Sequence, residues 1–306
     1  MKKISLILLI FLSFLLLGCQ EETKLSVIVP NGIPSIAQSH LEYEQGDVYD
    51  IERVSGPQPL MAAFTSGSYD VIIAPVNLGA NFHQKGSDYK LGGILTWSNL
   101  QIISPIQIDD IEDLSGHTIK AFGQGSVPEM IITYLFEEIE LSEPVNIDFN
   151  ASSAQESLMS FIQNGDIAIV SEPVTTQART MTDEIFVIDL ANLWRQETDL
   201  DLFPQAGVFF KQNIDPQLIN QYLDDLNLGS ADVNDDPQAT AGYCLALDYP
   251  FEESIIASAI PNANINFEYT ADVRSQIDQF LTMILNENPS LIGEAMPSET
   301  WYYQPS

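Results

Sequence analysis

Two stretches of the chain carry one pattern of apolar and polar positions. Phe64-Thr65-Ser66-Gly67-Ser68-Tyr69-Asp70 leads into an unbroken apolar run, Val71-Ile72-Ile73-Ala74, closed by Pro75-Val76. Phe161-Ile162-Gln163-Asn164-Gly165-Asp166 leads into Ile167-Ala168-Ile169-Val170 and then Ser171-Glu172-Pro173-Val174. Each reads as the end of a helix, a Gly that stops it in a left-handed conformation, an Asp and a strand. An apolar run without alternation suits a parallel strand covered by helices on both faces.

A second pair precedes the first at nearly the same distance. Leu25-Ser26-Val27-Ile28-Val29-Pro30 runs into Asn31-Gly32-Ile33-Pro34, and Thr118-Ile119-Lys120-Ala121-Phe122 runs into Gly123-Gln124-Gly125-Ser126-Val127-Pro128. Both read as strand, glycine-containing loop and a proline at the start of a helix. One α/β plan used twice predicts two lobes with matching loops. Between and after these units the pattern predicts helices over 36–43, 59–66, 130–139, 152–163, 174–181 and 192–198, and strands over 49–54, 91–95 and 185–190. Residues 96–103 read as an extended segment crossing out of the first lobe, and 203–210 as a strand returning to it. From Asp215 onward the periodicity is helical, over 216–226, 238–247, 252–259 and 271–286.

Composition narrows the class. Among 306 residues, Lys plus Arg is 11 against 43 Asp plus Glu, a formal net charge of −32. Phosphate contacts need Lys and Arg, so this balance argues against nucleic acid and against an anionic membrane surface. Hydrophobic residues make up 45%, enough for one large core or two medium ones. Lys2 and Lys3 precede the apolar segment Ile4–Leu17, which is short for a spanning helix, and Leu16-Leu17-Gly18-Cys19 follows at once. That order resembles a bacterial lipoprotein signal with its lipobox. It implies cleavage after Gly18, an acylated (palmitate-bearing) Cys19 and a short polar tether, 19–24. With Cys19 lipidated, Cys244 in its apolar setting is left as a buried structural thiol.

Taken together, the lipobox, the opening Val29-Pro30-Asn31-Gly32-Ile33-Pro34-Ser35-Ile36-Ala37, Gly56-Pro57 with Ala62-Ala63-Phe64, Asp70 to Gly79, Ala121 to Ser126, Glu172-Pro173-Val174 and Pro204-Gln205-Ala206-Gly207 resemble the type II substrate-binding lipoproteins of bacterial ABC importers. The group is that of nitrate, sulfonate, taurine and thiamine-precursor uptake. The resemblance implies an α/β, two-lobed type II periplasmic-binding-protein fold, each lobe a mainly parallel sheet flanked by helices, with two crossover segments. Residues 25–103 and 208–306 would form lobe one and 104–207 lobe two. It implies a monomer on the outer face of the cell membrane, anchored through Cys19, that serves an ABC permease and ATPase and holds a small molecule between its lobes.

In open parallel sheets the ligand crevice lies beyond the carboxyl ends of the strands. Loops at such ends, and the crossover, supply Asn31, Gly32, Pro57, Gln58, Asn77 and Trp97 from one lobe and Phe122, Gln124, Gly125, Ser126 and Glu172 from the other. The cations of the mature chain that this cleavage implies, Lys24, Arg53, Lys85, Lys90, Lys120, Arg179, Arg195, Lys211 and Arg274, all fall outside these loops. A sulfonate or phosphate would ordinarily draw on an Arg fork, so a neutral or cationic, planar ligand is expected over an anion such as sulfonate or nitrate. An enzyme is not expected. There is no G-x-S-x-G elbow and no H-E-x-x-H, Gly123-x-Gly125 lacks the third glycine of a dinucleotide fingerprint, and His40, His83 and His117 are isolated. Neither a metal site nor a cofactor is expected. A ligand-sensing or adhesive surface lipoprotein on the same fold is the alternative to an importer component.

Overall fold

The computed structural model describes residues 24–304. The signal segment 1–18, the lipobox cysteine Cys19 and the tether up to residue 23 lie outside the described residues. Strands β1 (Leu25–Pro30), β2 (Tyr49–Val54) and β3 (Val71–Pro75) pair in parallel, β1 in the middle. Strands β6 (Thr118–Phe122), β7 (Asn146–Ala151) and β8 (Ile167–Val170) do the same around β6. The two opening units are therefore equivalent in three dimensions as well as in pattern.

Each parallel trio is completed by an antiparallel strand donated from the other half of the sequence. After β4 (Tyr89–Trp97) the chain leaves the first sheet, and β5 (Gln101–Ser104) pairs antiparallel with β8. After β9 (Phe186–Asp189) it returns, and β10 (Pro204–Lys211) pairs antiparallel with β3 and β4. With β11 (Ile265–Tyr269) the first sheet has six strands in the order β11-β4-β10-β3-β1-β2. The second has five, β7-β6-β8-β5-β9. The chain thus changes sheets at 98–100 and again at 198–203, a few residues before the expected boundaries at 103 and 208.

These two connections are tied to one another. The Ser98 N–H donates to the Phe203 carbonyl at 3.0 Å, and the Phe203 N–H donates to Ser98 Oγ at 2.8 Å. Both residues are buried, so these bonds satisfy backbone groups that water does not reach. Beside them Trp194, Phe203 and Phe280 meet edge to face and stacked, with centroids 5.3–6.2 Å apart. The apolar core consequently runs without interruption from lobe one through the connections into lobe two.

Helices α1 (Ile33–Ile36), α2 (Ser39–Glu44), α3 (Pro57–Ser66) and α4 (Val76–Gln84) follow the strands of lobe one. Helices α5 (Val127–Glu138), α6 (Ala154–Asn164), α7 (Val174–Met181) and α8 (Leu190–Glu197) follow those of lobe two. Helices α9 (Pro216–Asp235), α10 (Pro237–Ala246), α11 (Glu253–Ala259) and α12 (Thr270–Glu287) are added to lobe one. The paired helix stops are as the pattern predicts: α3 ends at Gly67 (φ 62°) and α6 at Gly165 (φ 71°), each donating its N–H back to the carbonyl four residues earlier. The helix expected over 36–43 is instead broken at Ala37–Gln38 into α1 and α2. Cys244 is free and buried. No helix of the described residues is long and apolar enough to cross a membrane.

Candidate functional site

The carboxyl ends of all six parallel strands face a cleft between the lobes. One half, about 630 Å³, is walled by Asn31, Gly32 and Pro34 after β1, Ser55 to Pro57 after β2, Ser153 to Gln155 after β7, Ser171 to Val174 after β8, and Asn99, Gln205 and Phe251. The other half, about 610 Å³, lies among Asn77, Leu78, Phe122 to Gln124, Ser126 to Pro128 and Phe149 to Ser152. Pro57 and Pro75 border both halves. A recess of about 110 Å³ continues below them, between Asn77, Leu100, Ile131, Gln205 and Phe280. Each half falls within the range of small-molecule sites.

Among the described residues no Lys, Arg or His lines any of these three spaces, and the one acid is Glu172. Glu172 is only 4% exposed. Its backbone is clamped by Asn99, whose Oδ1 accepts the Glu172 N–H at 2.9 Å and whose Nδ2 donates to the Glu172 carbonyl at 3.2 Å. The first crossover thereby holds the loop after β8 in place. The Glu172 carboxylate accepts the N–H of Thr176, in the first turn of α7, at 3.0 Å. Burial pushes this carboxyl above its ordinary value, and Asp189 adds to the rise. The Thr176 bonds and the Arg179 charge pull the other way without cancelling the effect of burial. Gln205 has a buried side-chain oxygen with no partner among the described residues, where the first half meets the recess.

The residues expected from sequence divide clearly. Asn31, Gly32, Pro57 and Glu172 line the first half, and Asn77, Phe122, Gln124 and Ser126 the second. Three do not line the cleft. Trp97 is a core residue on β4, 3% exposed, with its indole N–H donating to the Asn266 carbonyl at 2.8 Å. Gln58 is exposed on the first turn of α3, with Oε1 lying back toward Gly56. Gly125 turns its N–H to Glu129 Oε2 at 2.5 Å. Asn99, Gln205, Phe149 and Phe251 were not foreseen. Asn99 lies in the segment expected to cross between lobes, and Gln205 in the returning one, so their positions were legible though their roles were not. Phe149 sits on the edge strand β7, whose short alternation was not read as a strand. Phe251 comes from the helical tail, distant in sequence, and nothing local marks it.

A larger groove, about 980 Å³, lies between Tyr134, Gln196 to Leu200 and one face of α12. It shares no residue with the cleft and has no parallel-strand ends in its wall. Among the described residues no three His, Cys, Asp or Glu side chains converge as a metal site.

No family model matches the chain, and no curated protein does. Solved structures match nearly all of it. An ABC transporter protein from Parabacteroides distasonis superimposes with a TM-score of 0.82 at 19% identity, over 93% of this chain and 100% of that one. A ligand-binding component of an ABC-type import system from Staphylococcus aureus, with zinc bound, gives 0.71 at 12% identity, over 93% and 97%. The periplasmic aliphatic sulphonate binding protein SsuA from Escherichia coli gives 0.69 at 15% identity, over 93% and 94%. The fold is thus the two-lobed periplasmic-binding-protein fold that the sequence led us to expect.

Proposed function

We propose that the protein is the extracytoplasmic solute-binding component of an ABC importer, anchored to the cell membrane by a lipid on Cys19. It acts as a monomer that captures one small organic molecule between its lobes and presents it to a permease and ATPase. The cleft itself carries this reading: strand-end loops from both lobes wall a space of small-molecule size, and two hydrogen-bonded connections join the lobes beside it. The fold shared with ABC-transporter binding proteins supports it. A wall without Lys, Arg or His among the described residues favours a neutral or cationic solute. Binding without turnover is the activity this site supports.

Thermal unfolding of residues 19–306 against a metabolite library tests the reading. A ligand that binds only the folded state adds about 2.7 kcal/mol at a hundredfold excess over Kd, so a true solute raises Tm by several degrees. A library of transportable metabolites that leaves Tm unchanged throughout contradicts it. Cell fractionation of Cys19→Ala checks the anchor: the variant is expected to be released or left unprocessed, and unchanged processing with unchanged membrane association counts against it.

A further inference from the structure

We propose that the solute is an organic cation with a flat apolar portion: its positive group sits beside the Glu172 carboxylate, and the flat part lies between the prolines and phenylalanines of the other half. This deepens the solute-binding reading and rests on it.

The first support is the charge of the wall. Among the described residues, the ionisable lining of the three connected spaces is Glu172, with nothing basic. Among the described residues Glu172 enters no ion pair; the pairs formed are Arg53–Glu42, Lys120–Asp148, Arg195–Asp201 and those of Arg274 with Asp278 and Glu299. A carboxylate offers about four lone-pair sites, and its partner here is Thr176 alone. A buried carboxylate without a cation is a costly group that a cation relieves.

The second support is the state of the helix starts around the cleft. Helix N-termini are where an anion would find free N–H groups without any Arg. In lobe two a carboxylate of the protein's own stands at each of these starts and accepts an N–H there or just ahead of it. Glu129 accepts the Gly125 N–H ahead of α5, Glu156 accepts the Ser152 N–H at 2.7 Å ahead of α6, and Glu172 accepts the Thr176 N–H of α7. In lobe one prolines remove donors: Pro34 in α1, and both Pro57 and Pro59 in the first turn of α3. Pro128 does the same in α5. An anion approaching the helix starts of lobe two therefore meets negative charge there.

The third support is the second half of the cleft. Phe122, Phe149, Pro57, Pro75, Pro128 and Leu78 give it broad apolar walls with no charged residue among them. Such walls suit a flat ring or a compact hydrocarbon.

Two matched sets of probes test this by titration calorimetry: phenethylamine, phenylethanol and phenylpropanoate, and benzamidine, benzamide and benzoate. The expected result is that each cation binds about tenfold or more tightly than its neutral partner, the range for a charged hydrogen bond, with the carboxylates weakest. Glu172→Gln keeps an oxygen to accept the Thr176 N–H, so it should fold, with an apo Tm close to wild type at low pH where Glu172 is protonated, while the cation preference collapses. A wild-type measurement covers the case of a misfolded variant. Arg179 and Asp189 are the charged groups acting on Glu172, and cation affinity should fall as pH falls through its raised pKa while neutral-probe affinity holds. No preference for the cations, including no binding by any probe, overturns the proposal; so does a preference that survives in Glu172→Gln. An anionic hit from the metabolite library overturns it while leaving the solute-binding reading in place, whereas a silent library removes that reading itself.

Discussion

Trp97 shows how a residue can look like a binding wall in sequence and belong to the core. It ends the nine-residue strand β4 and packs with the apolar cluster, and its N–H is already satisfied by Asn266. Trp97→Ala should cost about 3–5 kcal/mol, the range for removing a buried large aromatic. Trp97→Phe should cost less and leave solute affinity unchanged; urea denaturation with parallel titration reads both. Glu172 makes the opposite case. Its folded pKa lies above the ordinary value because of burial. Its contribution to stability is therefore complete below the unfolded pKa and is lost as pH rises through the folded one. The Tm difference between wild type and Glu172→Gln, measured without ligand, should be most favourable to wild type at low pH and decline toward neutral pH. A difference that grows with pH would contradict the sign. Glu172 was visible in sequence because Ser171-Glu172-Pro173-Val174 closes a repeated unit. Burial of Trp97 was not, since the strand was expected to end at residue 95 and Trp97 to lie on the crossover, whereas β4 continues through Trp97.

At the scale of elements, the repeat was the most legible feature. The glycine stops, the apolar strands and the proline-led helices of the two halves occupy equivalent places, because each local choice agrees with the same βαβ geometry. Gly67→Ala and Gly165→Ala should behave alike, each costing about 1–2 kcal/mol for a side chain held at positive φ. Denaturant midpoints check this, and a large disparity would break the equivalence. What stayed hidden were partnerships between elements far apart in sequence. Strand β11 is recognisable only through its pairing with β4, and Phe251 only through its contact with both lobe one and the Val174–Ala178 cluster of lobe two. Asn99 is another such link. Asn99→Ala would leave the Glu172 N–H and carbonyl unpaired in a buried setting, at about 1–3 kcal/mol. It should also weaken solute binding by loosening the carboxylate, seen as a higher Kd in titration of the folded variant.

For the whole molecule, the exchange of β5 and β10 between halves explains why two lobes behave as one protein. Each sheet is closed by a strand from the other half of the chain, and Ser98 and Phe203 bind the two connections together. That arrangement permits bending between the sheets at a narrow, hydrogen-bonded waist. The continuous apolar core through Trp194, Phe203 and Phe280 limits how far such bending can go. The central claim is that a small solute is held between the lobes, by both of them. The most direct measurement is a crystal structure of the protein with the library ligand that raises its Tm most. The account predicts density in the cleft, touching Pro57 or Pro75 from lobe one and Glu172 from lobe two, with Gln205 hydrogen-bonded at its floor. A ligand seated instead in the groove between Tyr134 and α12, or held by one lobe alone, would contradict it.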